Sequence, residues 1–302
     1  MVKKREYEFI TDNVAILYDD QFPLYIVMGE KNFLIDSGTA PRAPEALTHI
    51  NDFLDGTGSN QDKKIDALLL THSHWDHTGG AFFLQQEYGF NVICSQRAAD
   101  LLAMSKVITV IERMNREYKE LIKASHDVPV AALQNIQPVK AGDTIRVAAG
   151  SCFEVLETPG HTRCSISFYL RPGKILFPGD ALGLMDRCGC IRPVFFSSYL
   201  QYEESLKKLG SLDVEVVAFP HNKFIDGKEN VKKLFADSLD QAQSVRDHIL
   251  RLLEDEPDPV RVAAAVGEQD FARTSFIGSR ESLLENIGAM VKITAREFSA
   301  NK

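Results

Sequence analysis

Residues 71–80 read THSHWDHTGG and follow directly on the run IDALLL at 65–70. Three of the chain's eight histidines and its one tryptophan fall within these ten positions. In an extended segment, side chains two apart leave the same side, so His72 and His74 face one point. Asp76 and His77 come where the chain turns toward a helix, and they approach that point from another direction. Imidazole nitrogen with carboxylate oxygen suits zinc, iron or manganese, whereas calcium and magnesium sites are built from oxygens.

Outward from this stretch, the pattern alternates strands with helices. On the N-terminal side, 14–18, 24–28 and 32–35 are short β-rich runs broken by turn residues, as in an antiparallel meander, and 43–55 has helical spacing. On the C-terminal side, Ala81–Tyr88 reads as a helix and Asn91–Cys94 as a strand. Residues 97–124 then repeat apolar positions at Leu101, Met104, Ile108, Ile111, Met114, Tyr118, Leu121 and Ile122, which predicts a helical insertion of one or two helices. Strand-like runs resume at 144–148, 153–157, 165–170 and 174–177. Ser198 with Gln201 three residues on predicts a capping box opening a helix that ends near Gly210, and 214–219 is the next buried strand. Residues 229–253 and 279–298 read as amphipathic helices, with Pro257 and Pro259 in the gap. The domains expected are a sheet-rich core over 1–228 and a helical cap over 229–302. Two sheet-rich halves with helices between them imply a layered α/β sandwich.

A single ligand cluster does not fill two coordination spheres, so the ends of the other predicted strands carry the next test. TPGHT at 158–162 places His161 after a strand. FPGD at 177–180 places Asp180 after KILF, and FPH at 219–221 places His221 after VEVVA. Asp36 ends the third strand in FLIDSG. Each follows a buried strand, and His161, Asp180 and His221 follow a Pro or Pro-Gly turn, which exposes the side chain at a sheet edge.

Taken in order, Asp36, THSHWDHTGG, His161, Asp180 and His221 resemble the five motifs of the metallo-β-lactamase superfamily, and the match spans residues 36–221. The resemblance implies a four-layer αβ/βα sandwich, here with a helical insertion and a helical C-terminal extension. It implies two divalent metal ions, one held by His72, His74 and His161, the other by Asp76, His77 and His221, with Asp180 bridging them. Asp36 would then orient a ligand through hydrogen bonds, or else simply end a strand in a D-S-G turn. Asp76 is also placed to handle a proton. Zinc leads among the metals, and iron or manganese are served by the same donors.

The remaining candidates are weaker. His49, His126 and His248 are assigned no role. Cys188-Gly189-Cys190, close behind Asp180, reads as a glycine-containing turn, and Trp75 as a packing wedge that fixes the ligand loop.

Composition narrows the chemistry. The 302 residues are 44% apolar and 25% charged, with 34 Lys and Arg against 42 Asp and Glu, a net charge of −8. No basic tract accompanies this, which argues against a nucleic-acid partner. No run approaches the roughly 18–20 apolar residues of a membrane span, and the five cysteines are odd in number and scattered, so the sequence reads as cytoplasmic. The expected substrate is a small acyl compound, with hydroxide supplied at the metal pair attacking its carbonyl.

Within the superfamily, THSHWDHTGG is similar to the glyoxalase II thioesterases. VITVIERMNREY at 107–118, GDALGLMD at 179–186 and RPVFFSSYLQYEESLKKL at 192–209 resemble the quinolone-signal-response thioesterases, which act on an aminobenzoylacetyl-coenzyme A. A thioesterase is therefore expected. A lactonase or amidase, a phosphodiesterase, and a signalling protein with a residual metal site are the alternatives. The stripe Leu283, Ile287, Met290, Val291, Thr294 and Phe298 predicts that the last helix docks on the core or forms a homodimer face.

Overall fold

The computed structural model describes residues 7–19, 21–57, 64–185, 189–271 and 280–298. They fall into two compact units: Met1–Leu156 with Phe168–Gly173, and Glu157–Ser167 with Lys174–Lys302.

The first unit is built on a seven-stranded sheet whose spatial order follows the chain: β1 (Tyr7–Thr11), β2 (Val14–Leu17), β3 (Leu24–Val27), β4 (Phe33–Ile35), β5 (Ala67–Leu69), β6 (Asn91–Ser95) and β7 (Ile136–Val139). The first four strands form the expected antiparallel meander. Strands β4 to β7 are parallel, which requires a crossover between each pair. Those crossovers are α1 (Ala43–Gly56), then α2 (Trp75–Thr78) with α3 (Ala81–Tyr88), then α4 (Gln96–Leu102) with α5 (Ser105–Ile122). Every residue of β2 to β5 is buried, the pattern of strands covered on both faces. The pairing Ile35↔Leu69 sets the carboxyl ends of β4 and β5 side by side, so Asp36 and Thr71 leave the sheet as neighbours. The hairpin β8 (Thr144–Ala148) with β9 (Ser151–Glu157) also belongs here, as does most of β10 (Ile166–Arg171), and Phe153 meets Phe33 edge-on with ring centroids 5.5 Å apart.

The insertion is two helices, and its buried stripe is narrower than the periodicity predicts. Ile111, Asn115 and Tyr118 are buried in α5, whereas Leu121 and Met104 are exposed. Strands β1 and β7 fall outside the runs expected from the sequence: each is only four or five residues long and mostly half-buried or exposed, and pairing with β2 or β6 sets it in the sheet.

In the second unit, β11 (Ile175–Phe177) leads into a 3-10 turn at Gly179–Leu182 and the short hairpin β12 (Leu184–Met185) with β13 (Ile191–Arg192). Next come α6 (Tyr199–Gly210), β14 (Val216–Ala218), β15 (Phe224–Asp226), α7 (Lys228–Asp255), α8 (Pro259–Phe271) and α9 (Arg280–Phe298). Strands β11 and β14 are parallel, with Ile175↔Val216 and Leu176↔Val217 in register, and β15 runs antiparallel to β14. The turn carrying Asp180 and the turn carrying His221 therefore leave the same end of a parallel pair.

Helix α8 occupies the gap expected from the two prolines. Pro259 is the first helical residue, where a missing N–H costs nothing, and the Asp258 carboxylate accepts from the backbone N–H of Val260. The stripe on α9 is spent inside the unit: Leu283, Ile287, Met290, Val291 and Thr294 are all buried, with α8, α7 and α6 as the packing partners. No described helix is long and apolar enough to cross a membrane.

Candidate metal centre

In the first unit, the chain leaves β5 extended and does not enter α2 until Trp75; His74 at the boundary has φ −70° and ψ 155°. His72 and His74 project from this extended piece with ring centroids 4.6 Å apart, and the His77 ring lies 4.0 Å from that of His72. Asp76 stands in the first turn of α2, its Oδ2 3.9 Å from His77 Nε2. All four side chains expected from the ten-residue stretch thus gather in one place.

Asp36 determines which nitrogen His72 and His77 present. Its carboxylate can only accept, so the 2.8 Å contact with His77 Nδ1 requires a proton on Nδ1 and leaves Nε2 for another partner. The same carboxylate accepts from the Thr71 N–H at 2.8 Å and from the Thr71 hydroxyl at 2.9 Å. With its one proton given to Asp36, the Thr71 oxygen is an acceptor toward His72 Nδ1 at 3.1 Å, which again leaves Nε2 to face outward. Asp36 is a positioning residue: it is 5% exposed, has the left-handed φ of 53°, and acts through His77 and Thr71.

A second support comes from α5. Asn115, 3% exposed, accepts from the Ala40 N–H at 2.7 Å and donates to the carbonyls of Trp75 and Ile111 at 3.3 and 2.9 Å. Its amide thereby buckles the start of α2 to the loop after β4. A Cβ on Gly79 would come within 2.6 Å of Asn115 Oδ1 and 2.5 Å of the Trp75 oxygen, so only glycine allows this approach. Trp75 packs against Phe22 and Tyr118, with ring centroids 6.1 and 5.4 Å away, as a wedge between the loop and α5.

In the second unit, His161, Asp180 and His221 come from three different turns and are all at least 95% buried. Asp180 lies between the two histidines: its Oδ2 is 3.3 Å from His161 Nε2, and its Oδ1 is 3.3 Å from His221 Nε2. His161 Nδ1 is 2.6 Å from the Val194 carbonyl, which can only accept, so Nδ1 carries the proton and Nε2 faces the carboxylate with its lone pair.

The segment 194–198 and α6 hold the His161 turn. The Gly160 carbonyl accepts from the backbone N–H groups of Ser197 and Ser198 and from the Ser197 hydroxyl, at 3.0, 3.2 and 3.0 Å. The Pro159 carbonyl accepts from Ser205 at 2.8 Å. The expected cap of α6 forms, with the Ser198 hydroxyl accepting from the Gln201 N–H, while the Ser198 N–H goes to Gly160. A buried ladder ties two ligand turns together, from Thr158 to Ser167 at 2.8 Å and from Ser167 to the Pro178 carbonyl at 3.1 Å.

The donors fit divalent cations of the zinc, iron or manganese kind: imidazoles, with the tautomers of His72, His77 and His161 fixed, and the carboxylates of Asp76 and Asp180. Nothing in the set resembles the all-oxygen shell of a calcium site. The other histidines lie elsewhere: His49 in α1, His248 in α7, and His126 on an exposed connection. Cys188 lies outside the described residues, and Cys190 is exposed.

Among the supports, Asp36, Trp75 and the Ser198 cap are expected from the sequence, whereas Thr71, Asn115, Ser167 and Val194 are not. Thr71 sits beside a visible motif. Asn115 had a usable signal, a lone amide on the buried stripe Ile111, Asn115, Tyr118. Nothing local marks Ser167 or Val194.

Comparison with known proteins gives the family. The model of the metallo-β-lactamase superfamily matches residues 21–221. A hydroxyacylglutathione hydrolase of Idiomarina loihiensis is 30% identical over 215 residues, 70% of this chain and 65% of that protein. A probable metallo-hydrolase of Methanocaldococcus jannaschii is 27% identical over 52% of this chain and 66% of its own length. The chain thus spans about two thirds of these curated relatives. Among solved structures, a metallo-β-lactamase family protein from Thermus thermophilus superposes with a TM-score of 0.68 at 21% identity, covering 97% of this chain and 96% of that one, a likeness of fold.

Proposed function

The chain belongs to the metallo-β-lactamase superfamily and has its fold, an α/β sandwich with a helical extension, and from that premise we propose that it is a metal-dependent hydrolase of acyl thioesters. The observation that carries the metal part is the Asp180 carboxylate, with one oxygen toward His161 and the other toward His221. In this reading His72, His74 and His161 hold one divalent cation, Asp76, His77 and His221 the other, and Asp180 serves both. Zinc is the first choice.

When bound, such a pair polarises an acyl carbonyl and brings the pKa of a water toward about 7. The protein's own share is arrangement. Asp36 and Thr71 keep Nε2 of His77 and His72 turned outward, and the Val194 carbonyl does the same for His161. Asp76 takes the proton from the attacking water and passes it to the departing sulfur. Water adds to the acyl carbon, the carbon–sulfur bond breaks, and a carboxylic acid and a thiol leave. A thiolate is a good leaving group, so one carboxylate is sufficient acid–base equipment.

The thioester class is supported by the hydroxyacylglutathione hydrolases among the relatives, and the proposed carrier is coenzyme A or a similar thiol. The proposed setting is the cytoplasm, with a small acyl substrate and with neither nucleic acid nor membrane as partner.

The test is a panel of acyl-coenzyme A, acyl-glutathione, lactone and bis-nitrophenyl phosphate substrates on zinc-loaded protein, with metal content measured by mass spectrometry. Thioester turnover that falls more than about 10³-fold in Asp180→Ala, together with loss of bound zinc, is expected. Full metal content in Asp180→Ala would sink the ligand assignment. Turnover of the lactone or the phosphodiester alone would reassign the substrate.

A further inference from the structure

Helix α6 carries a second polar group toward the second unit's ligands, one that the assignment above does not use. Tyr202 is 1% exposed, sits on the buried face of α6 with Tyr199, Ser205, Leu206 and Leu209, and packs its ring 5.9 Å from that of Phe195. That face lies against the 3-10 turn Gly179–Leu182, which carries Asp180. Its approach to the His161 turn is equally tight. Gly160 has φ 128°, and a Cβ there would lie 2.3 Å from the Tyr202 Cα.

The Tyr202 hydroxyl is buried, and its proton meets no acceptor among the described residues; the Val194 backbone approaches the oxygen, not the proton. A buried phenol is ordinarily hydrogen-bonded, and phenylalanine would fill the same space without the polar cost, so an unspent O–H here calls for a partner that completes the site. Burial pushes the phenol's pKa well up. The Val194 backbone beside it works against that rise, and the charge of Asp180 adds to it.

A carboxylate has about four lone-pair directions. Asp180 stands on the turn that this face of α6 covers, and its carboxylate can accept from such a phenol. We propose that Tyr202 is a positioning residue of the metal centre, whose O–H donates to the Asp180 carboxylate and fixes its rotation when cations occupy the site. The inference rests on the metal assignment of the preceding section and adds to it a residue that touches neither cation nor substrate.

Tyr202→Phe tests it. Zinc affinity, measured by competition with a chromophoric chelator, is expected to fall about tenfold, as for removal of other supports behind a metal ligand. The visible absorption bands of the cobalt-substituted variant are expected to shift. Meanwhile the metal-free variant melts at or above the wild-type midpoint, because a buried O–H without an acceptor has been removed. A purely structural tyrosine would instead lower the melting point of the metal-free variant and leave the other two readouts alone. If the wild type binds zinc and Tyr202→Phe binds it equally tightly with an unchanged cobalt spectrum, the inference is overturned and the metal assignment stands. If the wild type binds no zinc, both fall.

Discussion

The two units offer metal ligands in opposite ways. In the first, four candidate ligands lie within residues 72–77, and the backbone that joins them is itself the template. In the second, three ligands stand on turns spread from residue 161 to residue 221, and only folding brings Asp180 within 3.3 Å of both histidines. The supports differ accordingly. The contiguous set is held by a few buried side chains, Asp36, Thr71 and Asn115, each making hydrogen bonds to one loop. The dispersed set is held by whole elements: the 194–198 segment, α6, and the ladder from Thr158 through Ser167 to Pro178. At one remove, Glu297 on α9 accepts from the N–H groups of Tyr199 and Leu200 at the start of α6, at 3.0 and 3.1 Å. A defect in the first set should therefore stay local, whereas a defect in the second should spread through its unit.

Gly160→Ala is the severest challenge to that contrast. The substituted residue would have to adopt a φ of 128° and place its Cβ 2.3 Å from the α6 backbone, so the helix and the His161 turn must separate. The expected loss is on the order of 4 kcal/mol, in the range reserved for backbone strain and core disruption. It should appear as a lowered urea midpoint by circular dichroism, because α6 packs on α7 and α9. A stability loss under about 1 kcal/mol would show that the dispersed set is as loosely coupled to its scaffold as a surface loop.

Asn115→Ala is the counterpart in the first unit. It removes the acceptor of the buried Ala40 N–H, at about 1–3 kcal/mol, and a donor to the half-buried Trp75 carbonyl at less, so a total near 3 kcal/mol is the upper expectation. Trp75 is the chain's one tryptophan and sits on this buckle, so its emission reports the loop directly. The emission should shift to the red and zinc affinity should drop, with little change in circular dichroism. A variant that unfolds globally while Trp75 emission holds until the end would contradict the local character of this support.

The same contrast explains what was legible in the sequence. THSHWDHTGG announces its chemistry because its ligands are adjacent and the turn residues that aim them lie within the same ten positions. His161, Asp180 and His221 were legible one at a time, as polar residues behind buried strands with proline turns, since strand ends are written in local pattern. Pairing is not. The register Ile175↔Val216, which sends the Asp180 and His221 turns out of the same end, depends on contacts some 40 residues apart. Asn115 was hidden for another reason: the periodicity of α5 counts apolar residues and passes over the one amide on its buried side. Helix α8 was hidden by Pro259, which reads as a stop until Asp258 is seen to cap the helix.

Ser167→Ala sharpens the comparison at the smallest scale, because its hydroxyl joins two ligand turns without touching a ligand. The geometry dictates the direction of the ladder. The Pro178 carbonyl can only accept, so Ser167 donates to it, and Thr158 must then donate to Ser167. Alanine leaves the Thr158 O–H buried without an acceptor and takes one of two donors from the Pro178 carbonyl, which keeps the Ala181 N–H, for an expected loss of about 1.5 kcal/mol. Thr158→Val alone removes a donor and leaves the Ser167 oxygen short of one bond, at about 1 kcal/mol. Once Ser167 is alanine, the same valine substitution takes away a hydroxyl that already lacks an acceptor, so it should cost almost nothing. The double-mutant cycle should therefore show a coupling of about 1 kcal/mol in urea unfolding. Additive losses would mean that the two hydroxyls act separately and that the turns bearing His161 and Asp180 are held by α6 alone.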